Sequence, residues 1–261
     1  MNYLIAGLAK SGTTMLFSRL QRALNQDQLA CFFEPDDPAV IASILDQRDT
    51  SDTLTKVLIG RVKSDTPRVD EFGKQLLIYR DPRDQFISML LYLFYDFQIS
   101  GDQRGYDYCV AALQNKIEHP DEVSCRSLWD DISGTVGRAP FVVFNNLHNE
   151  QRRYWETFSP LLVRYESLLD DDWLAVEDYL DLTLKSADTE VPGEYQRVAR
   201  SKGYGDWTYW LTDEDIAHTN EAWAANLDWL GYAPGSLRVR REIPASTSLD
   251  YVAQFNPSLQ R

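Results

Sequence analysis

Short apolar runs, each closed by a polar or glycine-containing turn, set the rhythm of this chain. Residues 3–6 (Tyr-Leu-Ile-Ala) read as a strand and residues 7–14 as a glycine-bounded loop. The run that follows places Leu16, Leu20 and Ala23 on one helical face. Leu29–Phe33 (Leu-Ala-Cys-Phe-Phe) is apolar without alternation, the pattern of a parallel strand buried on both faces. A helix is expected over residues 38–45, a third strand over 56–62 and a fourth over Lys74–Tyr79. Pro82 suits the first turn of an apolar helix continuing over 85–97. Residues 105–135 have helical periodicity, whereas 141–155 fit either a helix or a strand-to-helix transition. A fifth strand over 161–165 precedes a helix over 172–180, and a last long helix is expected over 212–230.

Strands alternating with helices predict an α/β fold with a doubly wound, mainly parallel sheet flanked by helices. No linker or internal repeat divides the chain, so one domain over residues 1–261 is expected, with the tail from about 235 peripheral. A chain of 261 residues, 44% hydrophobic, is long enough to bury a core of that size. With the first strand read as beginning at Tyr3, no secretory leader is expected, and no apolar run reaches the length of a membrane span. A cytoplasmic protein is expected. Cys31, Cys109 and Cys125 lie far apart, which predicts reduced and mostly buried thiols. No residues have metal-ligand spacing. The net charge of -14 opposes nonspecific binding to nucleic acid or anionic lipid, so a bound polyanion needs a local basic patch.

Three segments supply such patches. In the first loop, Gly7 and Gly12 allow amides to converge on an anion at a helix N-terminus, while Lys10, Ser11, Thr13 and Thr14 add a charge and hydroxyl donors. It is not a Walker A loop, because Lys10 precedes the second glycine. The fourth strand delivers Arg80-Asp81-Pro82-Arg83-Asp84 to the same rim, either as a second anion site or as solvated ion pairs. The third is the loop Arg200-Ser201-Lys202-Gly203-Tyr204-Gly205-Asp206-Trp207. Arg238, Arg240 and Arg241 in the tail are expected to be solvated. Glu34, after the second strand, falls on the rim of the first loop as a general base or a helix cap, and the residues alone leave both open.

Taken together, these pieces resemble the sulfotransferases that use 3′-phosphoadenosine-5′-phosphosulfate (PAPS). Lys10-Ser11-Gly12-Thr13-Thr14 is similar to that family's 5′-phosphosulfate loop, and Arg80 with Ser88 eight residues on is similar to its 3′-phosphate motif. Tyr165-Glu166 resembles its adenine-side segment, and Gly205-Asp206-Trp207, with Arg200 seven residues before Trp207, resembles its late loop. The resemblance spans residues 7–207. It implies the P-loop-like sulfotransferase fold, transfer of a sulfuryl group to an acceptor hydroxyl or amine, release of adenosine 3′,5′-bisphosphate (PAP), and no metal. It implies that Lys10 stabilises the leaving phosphate, and that Ser11, Gly12, Thr13, Thr14, Arg80, Ser88, Tyr165, Arg200, Lys202 and Gly203 hold the donor.

The chain also departs from that pattern. Where many cytosolic members carry Lys-Thr-His, residues 63–65 read Lys-Ser-Asp, so Glu34 is chosen as the base, as in carbohydrate-type members, with Asp65 as runner-up. Met15 replaces a common tryptophan. Residues 200–203 read Arg-Ser-Lys-Gly, which leaves Arg200 and Lys202 as rival phosphate ligands. The expected acceptor is a small alcohol, neutral sugar or lipid. Two other functions compete: a magnesium-dependent nucleotide kinase, and a regulatory protein that binds the nucleotide without catalysis.

Overall fold

The computed structural model describes residues 1–24, 29–46, 52–139, 141–184, 200, 203–235 and 242–260. Lys202, Arg238, Arg240 and Arg241 lie outside the described residues. In chain order the elements begin β1 (Asn2–Gly7), α1 (Thr13–Ala23), β2 (Leu29–Phe33), α2 (Pro38–Asp46), β3 (Asp52–Leu58) and β4 (Lys74–Tyr79). Helices α3 (Pro82–Tyr92), α4 (Tyr95–Ser100), α5 (Gln103–Glu118), α6 (Cys125–Thr135) and α7 (Phe141–Phe158) follow, then β5 (Leu161–Arg164). The described remainder holds α8 (Tyr165–Leu169), α9 (Leu174–Leu180), α10 (Trp207–Trp210), α11 (Asp213–Ala222), α12 (Ala224–Leu230) and α13 (Leu249–Ala253). The chain divides into two compact units, Met1–Arg80 with Leu147–Gln196, and Asp81–Asn146 with Arg197–Arg261.

In the first unit five strands form one parallel sheet in the order β2-β3-β1-β4-β5. β1 lies at its centre and is buried along its whole length. One face carries Tyr3, Ile5, Leu54, Leu76 and Ile78 against Leu16, Phe17 and Leu20 of α1 and Val176 and Leu180 of α9. On the opposite face Leu4, Ala6, Val57 and Leu77 meet Ile41 and Leu45 of α2 and Tyr154 of α7. From β1 the chain passes to β2 on one side, and from β4 to β5 on the other. The carboxyl ends of β1 and β4 therefore flank the point where the winding reverses, the place where open α/β sheets bind ligands.

Two strand expectations need correction. β2 is an edge strand, half-exposed and with Cys31 open to solvent, so its unbroken apolar run does not mark an interior position. The run is apolar because Leu29 and Phe33 still pack on the α1 face, with the Phe33 ring edge-on to Phe17 at 5.4 Å. β3 runs from Asp52 to Leu58 instead of 56–62. Its polar start is tolerated inside the sheet because Thr53 Oγ1 donates to Asn2 Oδ1 at 2.9 Å, and β-branched threonine suits a strand.

The second unit is helical among its described residues. The helix expected over 85–97 divides at Leu93 and Phe94, both buried and still right-handed helical, where the hydrogen bonds tighten to i→i−3: Asp96 N donates to Leu93 O at 3.0 Å and Phe97 N to Phe94 O at 3.2 Å. The helix expected over 212–230 is interrupted at Trp223, whose fully buried ring joins Phe86, Phe141 and Phe144. Asp215 is buried and serves two helix starts. It accepts from Ser124 Oγ at 2.6 Å and Cys125 N at 2.8 Å at the head of α6, and from Thr212 N at 3.1 Å in the capping box of α11. Since losing one N-cap costs about 0.5–2 kcal/mol, Asp215→Ala is expected to lower stability by roughly twice that. A urea midpoint equal to the parent's would refute the shared-cap role.

Candidate active site

The first loop leaves β1 at a position where only hydrogen fits. A Cβ on Gly7 would lie 2.7 Å from Thr13 Cγ2 and 2.8 Å from the carbonyl oxygen of Ile78. At the loop's far end Gly12 has φ +96°, and a Cβ there would lie 2.4 Å from Tyr165 Cδ2, so the tyrosine ring packs directly on the glycine. Between them the Ser11 hydroxyl donates to Leu8 O at 2.7 Å and closes the turn. Lys10 adopts φ +67°, a left-handed conformation disfavoured for a residue with a side chain. Helix α1 then begins at Thr13 with no acidic residue in its first turn, which leaves its positive end uncompensated by its own sequence.

Two buried cations reach this loop and helix start. Arg80, buried at the end of β4, donates from Nη1 to Lys10 O at 3.4 Å, and its guanidinium lies 4.7 Å from the centroid of the Tyr165 ring. Lys10, Gly12, Arg80 and Tyr165 thus lie together in the structure. Lys56 joins it from β3. Its side chain is 1% exposed, and Nζ donates to Thr14 Oγ1 at 3.0 Å and to Glu34 Oε1 at 2.5 Å while lying 4.0 Å from the Phe33 ring centroid. Strand alternation puts Lys56 on the same sheet face as Leu54, where α1 packs.

By sequence Lys56 opens the third expected strand, with no chemical role assigned. A cation inside an apolar parallel strand was the available signal, because burying an ammonium requires a partner. Here the partner is Glu34. Glu34 has φ +54°, its amide donates to Lys56 O at 2.8 Å, and its side chain keeps 26% of its surface exposed. The carboxylate is therefore one lysine away from Thr14 of the loop. Asp65 is exposed, in a turn closed by Thr66 N donating to Lys63 O at 3.1 Å; its neighbour Ser64 is held by Glu150 of α7.

Ser88, Arg200 and Gly203 belong to the second unit. Ser88 is buried on α3. Arg200 donates from Nη2 to Asp206 Oδ2 at 2.5 Å and from Nη1 to Thr247 O at 3.2 Å. Arg83 is not solvated: it pairs with Asp81, and both side chains are under 10% exposed. Asp84 is occupied by the amides of Gly205 and Trp207. The solvated ion pairs considered for this motif do not form, since burial has committed each charge to a specific partner.

Among the described residues no group of three or more His, Cys, Asp or Glu is placed to hold a metal ion, and no helix is long and apolar enough to cross a membrane. No family model matches the sequence, and no curated protein matches it either. Among solved structures the chain is similar to mouse sulfotransferase SULT7A1 complexed with PAP, at 11% identity and a TM-score of 0.54, covering 87% of this chain and 84% of that one. It is also matched to retinol dehydratase in complex with androsterone and inactive cofactor PAP, at 12% identity and a TM-score of 0.49, covering 92% and 82% of the two chains. The doubly wound parallel architecture is thus the sulfotransferase fold.

Proposed function

We propose that this protein is a PAPS-dependent sulfotransferase, moving a sulfuryl group to an acceptor hydroxyl or amine. The observation that carries this reading is that two buried cations meet the loop that bears Lys10, Lys56 donating to Thr14 and Arg80 to the Lys10 carbonyl, in an otherwise acidic chain that has the sulfotransferase fold. The neighbouring SULT7A1 structure contains PAP, the expected product. Of the ligands assigned by resemblance, Ser11, Gly12, Thr13 and Thr14 serve the 5′ end of the donor with Lys10, and Tyr165 serves the adenine side. Arg80, Ser88, Arg200, Lys202 and Gly203 serve the 3′-phosphate.

In the reaction the acceptor oxygen attacks sulfur in line, and the bond between sulfur and the bridging phosphate oxygen breaks. Its electron pair stays on the 5′-phosphate, where Lys10, the loop amides and the threonine hydroxyls meet the growing charge. The acceptor proton passes to Glu34. Lys56 contributes twice in this scheme. It holds the Glu34 carboxylate in place, and by donating to Thr14 Oγ1 it turns the Thr14 hydroxyl hydrogen away from itself and toward the loop. The acceptor is a small alcohol, neutral sugar or lipid.

Calorimetric titration in chelator tests the donor. PAP should bind and ATP should not compete with it. A protein that instead needs magnesium and hydrolyses or transfers from ATP is a kinase, and one that binds PAP yet sulfates no acceptor in a labelled-PAPS screen is a regulatory binder; either outcome refutes the proposal.

A further inference from the structure

In the second unit the start of α3 is built around a loop more than a hundred residues away in sequence. Asp81 is the N-cap: Oδ1 accepts from Arg83 N at 2.9 Å and from Arg83 Nε at 2.9 Å, and Oδ2 accepts from Arg83 Nη2 at 2.7 Å. Locked in that pose, the Arg83 guanidinium lies 3.9 Å from the centroid of the Trp207 ring. Asp84, one residue on, is 1% exposed. Its Oδ2 accepts from Gly205 N at 2.6 Å and its Oδ1 from Trp207 N at 3.0 Å. Asp206, between those two amides, accepts from Arg200 Nη2 at 2.5 Å and from the Tyr209 hydroxyl at 2.6 Å.

A buried carboxylate beside a loop meant for an anion is electrostatically adverse, because it repels the ligand and is itself expensive to desolvate. Asp84 is explained if its task is to hold backbone. Residues 203–207 contain two glycines and bend through Gly205 at φ +83°, so the loop has little intrinsic rigidity. Two charge-assisted bonds to its amides, with an arginine plane under its tryptophan, supply the missing order. The order is passed to Arg200 through Asp206, whose neighbours on both sides are the anchored residues.

We propose that Arg83 and Asp84 are positioning residues for nucleotide binding, acting through residues 203–207 and Arg200 without touching the ligand. This rests on the reading that Arg200 serves the donor's 3′-phosphate. The test compares PAP with adenosine 5′-monophosphate, which lacks that phosphate, by calorimetry on the full chain carrying Asp84→Asn or Arg83→Lys. Asp84→Asn keeps the size but exchanges one acceptor for a donor. It is expected to weaken PAP about tenfold or more while changing the monophosphate by less than about twofold. Arg83→Lys, which loses the planar stack and the bidentate pair, should lower the same ratio by about threefold. An unchanged PAP-to-monophosphate ratio in a folded variant overturns the proposal, as does an equal loss for both ligands, which a merely structural role predicts. If Asp84→Asn does not fold, the Arg83→Lys ratio decides. A parent protein that binds PAP no better than the monophosphate refutes the 3′-phosphate reading itself, an outcome visible before any variant is made.

Discussion

Lys10→Ala is expected to lower turnover by about 10²–10³-fold, the scale on which one donor to a developing oxyanion acts. Lys10 sits inside the loop instead of after its second glycine, and its backbone is held at φ +67° with its carbonyl accepting from Arg80. Left-handed backbone at a residue with a side chain is retained where surrounding contacts enforce it, and such positions gather at functional sites. In a bound donor the bridging oxygen carries little charge; as sulfur departs it gains charge, so a cation at that point acts more on the transition state than on binding. The expected signature is a large fall in kcat with PAP affinity changed by only a few-fold. Turnover within a few-fold of the parent would remove Lys10 from the chemistry.

Glu34→Gln is the second large effect, a loss of about 10²–10⁴ in turnover, the range for a positioned base. Asp65→Asn should stay near the parent. The two carboxylates differ in setting: Glu34 is tied through Lys56 to Thr14, whereas Asp65 lies in an exposed turn. Glutamine retains the shape and an acceptor for Lys56, so PAP affinity and melting temperature serve as controls for the loss of a buried pair. Activity retained in Glu34→Gln and lost in Asp65→Asn would reverse the assignment.

How far the site was legible varies from residue to residue. Gly7, Lys10, Gly12 and Arg80 announce themselves by local order: a strand end, a glycine-bounded loop and a helix start are written in consecutive residues, with Gly7 at a point where no side chain fits and Gly12 at positive φ. Tyr165 was placed by resemblance, and the reason it lies where it does, a ring packed on the bare Gly12 Cα, is visible only in three dimensions. The Lys56 contacts with Glu34 and Thr14, and the tie from Asp84 to Gly205 and Trp207, have no signature in the local sequence. Both depend on residues distant in sequence.

The amino-acid sequence determined the alternation of strands and helices, the boundaries of β2 and β4, and the loop that the sheet centres on, since each follows from short-range periodicity and turn stereochemistry. Only the tertiary structure decided strand order, and with it which apolar strand would stand at an edge. It also decided which charges would meet. Desolvation inside a packed fold leaves a charge viable only beside a partner, so Lys56 was brought to Glu34 and Thr14, Arg83 to Asp81, and Asp84 to two amides. Partner choice is a property of the packed chain, and local pattern carries no record of it.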